Sequence, residues 1–175
     1  MKRLLFLFSG FIFSISLHAQ NNPVDELFNK YSGKEGIAEV YISSKMFNMF
    51  GNMDSKDEEL NKTMSRIKSI RILTVKDSSM NRNINFYSEL SKKTDFSSFE
   101  ELMMVKDGND VTKFLIKPDG NIISELLIIS GGHEGNTLIS IRGDLDLKNI
   151  SGLSKTIGIQ QLENLDKLEK QPIKK

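Results

Sequence analysis

The period of the apolar positions changes repeatedly along this chain, and each change marks an element. Leu4 to Leu17 is a nearly unbroken apolar run. Val24, Leu27, Phe28 and Tyr31 then recur at helical spacing, with Asp25 and Glu26 in the first turn, where the helix dipole favours anions, and Gly33 as the stop. From Gly36 the period becomes two: Ala38, Val40 and Ile42 share one face of a strand, Glu39 and Tyr41 the other. Ser43 or Ser44 caps a helix carrying Met46, Phe47, Met49, Phe50 and Met53, and after a polar break at 51–56 a second helix from Asp57 carries Leu60, Met64 and Ile67. Residues 69–76 return to period two, with Ile70, Ile72 and Thr74 on one face and Arg71, Leu73 and Val75 on the other. Residues 80–92 read as one helix burying Ile84, Tyr87 and Leu90.

The second half is a succession of strands. Residues 99–106 and 111–117 are joined by Asp107-Gly108-Asn109-Asp110, and the next connection is Pro118-Asp119-Gly120-Asn121, two turn sequences in which Gly accepts a positive φ. Ile122 to Ile129 is apolar except for Ser124 and Glu125, a pattern suited to a central strand packed on both faces. After Gly131-Gly132-His133-Glu134-Gly135-Asn136, Ile139 and Ile141 alternate with Ser140 and Arg142. Asp144 or Asp146 can cap a helix with Leu147, Ile150, Leu153 and Ile157 facing inward, and Leu162, Leu165 and Leu168 mark a short amphipathic segment before a basic end.

This order predicts an α+β fold with a mixed, mostly antiparallel sheet, a C-terminal four-strand meander, and helices mainly on one face. The first two strand-to-strand connections contain helices and can be parallel crossovers, while the hairpin-length ones require antiparallel neighbours. Residues 23–160 read as a single domain, and 161–175 as a short amphipathic helix and basic tail.

Compartment and charge follow from the first residues. Lys2 and Arg3, the apolar run, and the small Ala19 read as a signal peptide over 1–19, since the run is short of the roughly 20 residues needed to span a bilayer. Removing it lowers Lys+Arg from 24 to 22 against 23 Asp+Glu, so the formal charge moves from +1 to −1. A nearly neutral chain of interspersed charges argues against nucleic-acid binding. The expected protein is exported, to the periplasm or outside the cell, without a membrane span after cleavage. With no cysteine, thiol nucleophiles, thiolate metal sites and a lipoprotein anchor are excluded, and stability must come from the core.

The remaining chemistry is sparse. His133 is the single histidine left after export, and His133-Glu134 lacks the second histidine and helical spacing of a metalloprotease motif. The glycine-rich loop also lacks the Lys-Ser/Thr ending of a phosphate loop, so it reads as an exposed hairpin. Glu134, Asp144 and Asp146 are the carboxylates for a hydrolase-like alternative, which needs an opposed pair. No metal or cofactor is implied. The surface on offer is the second sheet face, Glu39, Tyr41, Arg71, Leu73 and Val75, more apolar than a solvated face and a candidate for binding a partner or a small apolar ligand.

Leu27-Phe28-Asn29-Lys30-Tyr31-Ser32-Gly33-Lys34-Glu35-Gly36, Val40-Tyr41-Ile42-Ser43, Met46-Phe47, residues 121–127 and residues 139–147 together resemble the exported proteins grouped as domain of unknown function 4252, typical of Bacteroidetes-type bacteria. The likeness rests on turn glycines, a cap and apolar strands, and implies an envelope or secreted location. It brings no catalytic motif. The expected function is thus a non-enzymatic exported domain that binds an envelope protein or a small ligand; the alternatives are the carboxylate enzyme and a self-associating envelope protein.

Overall fold

A computed structural model describes residues 22–51, 58–93 and 96–146. The signal peptide expected over 1–19, the helix expected over 147–157, the segment at 162–168 and the basic tail lie outside the described residues, as do residues 52–57, 94 and 95.

The described elements are α1 (Pro23–Tyr31), β1 (Ile37–Ser43), α2 (Ser44–Gly51), α3 (Glu58–Arg66), β2 (Ile67–Val75), α4 (Ser78–Asn81), α5 (Phe86–Lys93), β3 (Glu100–Asp107), β4 (Asp110–Asp119), β5 (Ile122–Gly131) and β6 (Thr137–Leu145). They form a six-stranded sheet in the order β1-β2-β6-β5-β4-β3. The α+β class and the meander are as expected, with Gly108 and Gly120 at φ of 55° and 61° in the two tight turns.

Two expectations change. Every pairing is antiparallel, including β1 with β2. A single crossover helix would return the chain to the start of β1, but α2 and α3 form a pair that brings it back to the end where β1 finished, and β2 runs in the opposite sense. The second crossover carries the chain from β2 past β6, β5 and β4 to the far edge. Helices also pack on both faces rather than mainly on one. Phe47 of α2 and Met64 of α3 join Ile70, Ile139, Ile141, Leu126, Ile128 and Phe114 in one core. Val24, Leu27, Phe28 and Tyr31 of α1 and Phe86 and Leu90 of α5 join Leu73, Leu138, Leu127 and Ile129 in the other. Successive residues 126–129 of β5 alternate between these cores, which explains its continuous apolar run.

Three boundaries differ from the periodicity. Ile67 opens β2 instead of closing α3, and the helix expected over 80–92 is two, α4 and α5. β6 continues to Leu145, so Asp144 lies in a strand. The break between α4 and α5 is fixed by Asn136, which is fully buried at the end of the β5–β6 loop. Its Oδ1 accepts from the Phe86 backbone N–H (2.9 Å), and its Nδ2 donates to Asn81 Oδ1 and to the Gly132 carbonyl (both 3.0 Å). Gly131 and Gly132 are required beside it, because a Cβ there would collide with Asn85 and Asp110 respectively.

Helices α1 and α5 are clamped by two ion pairs, Lys30–Glu89 (2.5 Å) and Lys93–Glu26 (2.8 Å), with the Tyr31 hydroxyl donating to Glu89. Partial burial opposes ionisation of Glu89, but the hydrogen bonds from Lys30 and Tyr31 outweigh it and hold the carboxyl below its ordinary value. A depressed folded-state value stabilises the fold above the unfolded value and loses that contribution as pH falls through the folded one.

Two predictions follow from these contacts. Asn136→Ala removes three side-chain hydrogen bonds and leaves buried partners unpaired; it should lower unfolding stability in urea titration by about 2–4 kcal/mol, given roughly 1–3 kcal/mol per unsatisfied buried group. Glu89→Gln should be less stable than the parent at neutral pH, and the gap should close as the pH drops below 4.5, the ordinary value; a gap that stays constant in pH-dependent thermal melts contradicts the clamp.

Candidate functional site

The second sheet face divides in two. Leu73 (0% exposed) and Val75 (5%) are buried in the core beneath α1 and α5, so neither side chain forms part of an open sheet surface. This corrects their place in the candidate surface: strand alternation shows which side chains share a face, but not where a helix ends its cover. Glu39, Tyr41 and Arg71 lie on the same face at the margin of that cover, and with Ser69 and Arg142 they line an open depression of about 700 Å³. Tyr41 is the most exposed of them, at 64%.

Strand register brings these residues together. Tyr41 is opposite Arg71, and Arg71 is opposite Ser140; one row further along, Ser43, Ser69, Arg142 and Glu125 lie side by side across β1, β2, β6 and β5. The neighbouring row, Glu39, Leu73, Leu138 and Ile129, turns apolar where α1 and α5 begin to cover the sheet.

The two arginines are held by carboxylates from different elements. Asp25, in the first turn of α1, receives Arg71 Nη1 at 3.3 Å and Arg142 Nη1 at 3.0 Å. Arg71 Nη2 is 3.6 Å from Glu39, and its guanidinium stacks on the Phe28 ring at 4.2 Å. Glu39 also accepts from the Ser32 hydroxyl at 2.5 Å. Glu125 is almost wholly buried and accepts from Arg142 Nε (3.1 Å) and from the Ser140 hydroxyl (2.5 Å). Burial disfavours the Arg142 charge, but Glu125 and Asp25 outweigh it and raise its pKa above the ordinary value. Its Nη2 is buried with no acceptor among the described residues. Asp25 therefore adds an ionic tie between α1 and the sheet to their shared core, and it holds both guanidiniums at the depression.

The hydrolase-like carboxylates do not assemble. Glu134 is in the β5–β6 loop before β6, whereas Asp144 and Asp146 are at the opposite end of that strand, roughly 3.4 Å apart per intervening residue. His133 and Glu134 are exposed. Among the described residues, no group of three or more His, Asp or Glu side chains is placed to hold a metal ion, and no helix is long and apolar enough to cross a membrane.

A family model described as Domain of unknown function (DUF4252) matches residues 31–153. The chain belongs to this DUF4252 family. No curated protein matches the chain, and no solved structure does. The matched span contains β1 to β6 and every residue lining the depression, while Asp25, which bridges the two arginines, precedes it.

Ser69, Arg142, Asp25 and Glu125 were not among the sequence candidates. A polar residue interrupting a central strand, as Glu125 does, is the one signal that could have pointed to a buried cation. Its partner Arg142 is 17 residues away and becomes visible only once β5 and β6 are in register.

Arg142→Met should leave Glu125 buried without its cation. The expected loss is about 2–3 kcal/mol, below the roughly 3–5 kcal/mol of a fully buried broken pair because Arg142 is partly exposed. The double variant Glu125→Gln/Arg142→Met should recover part of that loss in denaturant titrations.

Proposed function

We propose that this DUF4252 domain is an exported, non-catalytic binding module, and that its ligand is a protein in the cell envelope met at the depression between β1, β2 and β6. The observation that carries this reading is the makeup of the depression: an exposed Tyr41 beside two arginines pre-positioned by Asp25, Glu39 and Glu125. Tyrosine and arginine are the residue types enriched in binding hot spots, and guanidiniums already fixed by ion pairs lose little freedom when a partner arrives. Burial of Leu73 and Val75 removes the apolar floor that a small apolar ligand would need, so the protein partner is the favoured ligand. Export rests on the leader-like residues 1–19.

Site-specific photo-crosslinking tests the proposal. A photoreactive residue at position 41 should give one defined heavier adduct in the envelope of the expressing cell. The same residue at position 104, on the far sheet edge, should not, and Ser69→Tyr, which fills the depression without removing a charge, should reduce the adduct by roughly tenfold if a hot spot is blocked. No adduct at 41, or equal adducts at 41 and 104, would overturn the proposal. An adduct of twice the chain's mass is a second copy of this protein; formed alone, with no adduct of another mass, it would also overturn the distinct partner.

A further inference from the structure

Among the described residues the sheet has two unpaired edges, β1 and β3, and they are built differently. β3 carries Glu100, Glu101, Lys106 and Asp107 and is bulged between Glu101 and Met103, the charges and irregularity by which proteins prevent strand addition. β1, Ile37–Ser43, has one charge, Glu39, and pairs with β2 without a register shift. β1 carries Val40 (45% exposed) and Tyr41, and α2, which follows it directly, carries Met46 and Met49 (72%); these are four of the seven large apolar side chains exposed among the described residues.

The backbone parity of β1 follows from one hydrogen bond. The Lys76 N–H donates to the Gly36 carbonyl at 2.8 Å, so even-numbered residues point their amides and carbonyls at β2. Glu39 and Tyr41 therefore direct theirs to the open edge.

We infer that β1 is a homodimerisation edge, on which the β1 of a second copy pairs antiparallel about a two-fold axis at Val40. In this register Glu39 of each copy is opposite Tyr41 of the other, which exchanges backbone hydrogen bonds between open-edge groups. Val40 meets its own copy as a close, non-hydrogen-bonded pair. The registers one step to either side that also use the open-edge groups place Glu39 opposite Glu39 or Tyr41 opposite Tyr41. The first opposes like charges, so the single charge of the strand selects the Val40-centred register over it. The contact is isologous and closed, giving a twelve-stranded sheet across two copies (six strands in each) rather than a filament, and it sets the two depressions side by side on one face.

Sedimentation of the protein recovered from an expressing cell tests this. The parent should show a concentration-dependent monomer–dimer equilibrium. Val40→Lys and Val40→Glu should each weaken it by at least roughly tenfold, because like charges directly opposed in a ladder are destabilising, with circular dichroism unchanged. Mixing the two variants should restore a dimer, since Lys then faces Glu at the axis. Val105→Lys, on β3, should dimerise like the parent. A parent that stays monomeric at every concentration, a Val40→Lys variant that dimerises normally, a mixture that stays monomeric, or a dimer lost through Val105→Lys would each overturn the inference.

Discussion

Burial of β5 and β6 on both faces is the constraint from which the rest of this structure follows. Residues 126–129 place successive side chains into two different cores, so each face needs a helical cover. The α2–α3 pair supplies one and α1 with α5 the other. The chain can reach both faces because its two crossovers differ: a helix pair that returns β2 beside β1, and a long path through α4 and α5 that starts the meander at the far edge.

A polar row survives in this doubly covered sheet because it is closed by its own ion pairs. Glu125 would be a costly buried charge if unpaired. Arg142 and Ser140 beside it, and Asp25 reaching from α1 to both arginines, offset its charge where the α1 cover ends. The same arrangement holds two guanidiniums and a tyrosine at an open surface, so one network both secures α1 and shapes the depression. A buried Asn136 plays the corresponding part at the other end of the sheet, where it pins the start of α5 to the β5–β6 loop.

The edges complete the picture. The six-stranded sheet is asymmetric at its ends: β3 is charged and bulged, whereas β1 carries a single charge and no bulge. Depression and edge adjoin at Glu39 and Tyr41, which belong to β1 and line the depression.

Much of this was legible in the residues alone. The α+β class, the meander, its two glycine turns and the double-sided character of β5 all follow from local signals: period, turn chemistry and unbroken apolarity. The face partition of β1 and β2 was also correct, because side-chain alternation in a strand is a property of the backbone. What the residues could not settle was pairing between distant segments. That β1 and β2 run antiparallel depends on a helix pair rather than a helix, and that Leu73 and Val75 are wholly covered while Arg71, packed on Phe28 and Asp25, stays partly open depends on where α1 lies across the sheet. Arg142, Glu125 and Asp25 meet across as many as 117 residues of chain. Local periodicity carries no information on such separations; only the tertiary register decides which charges become neighbours.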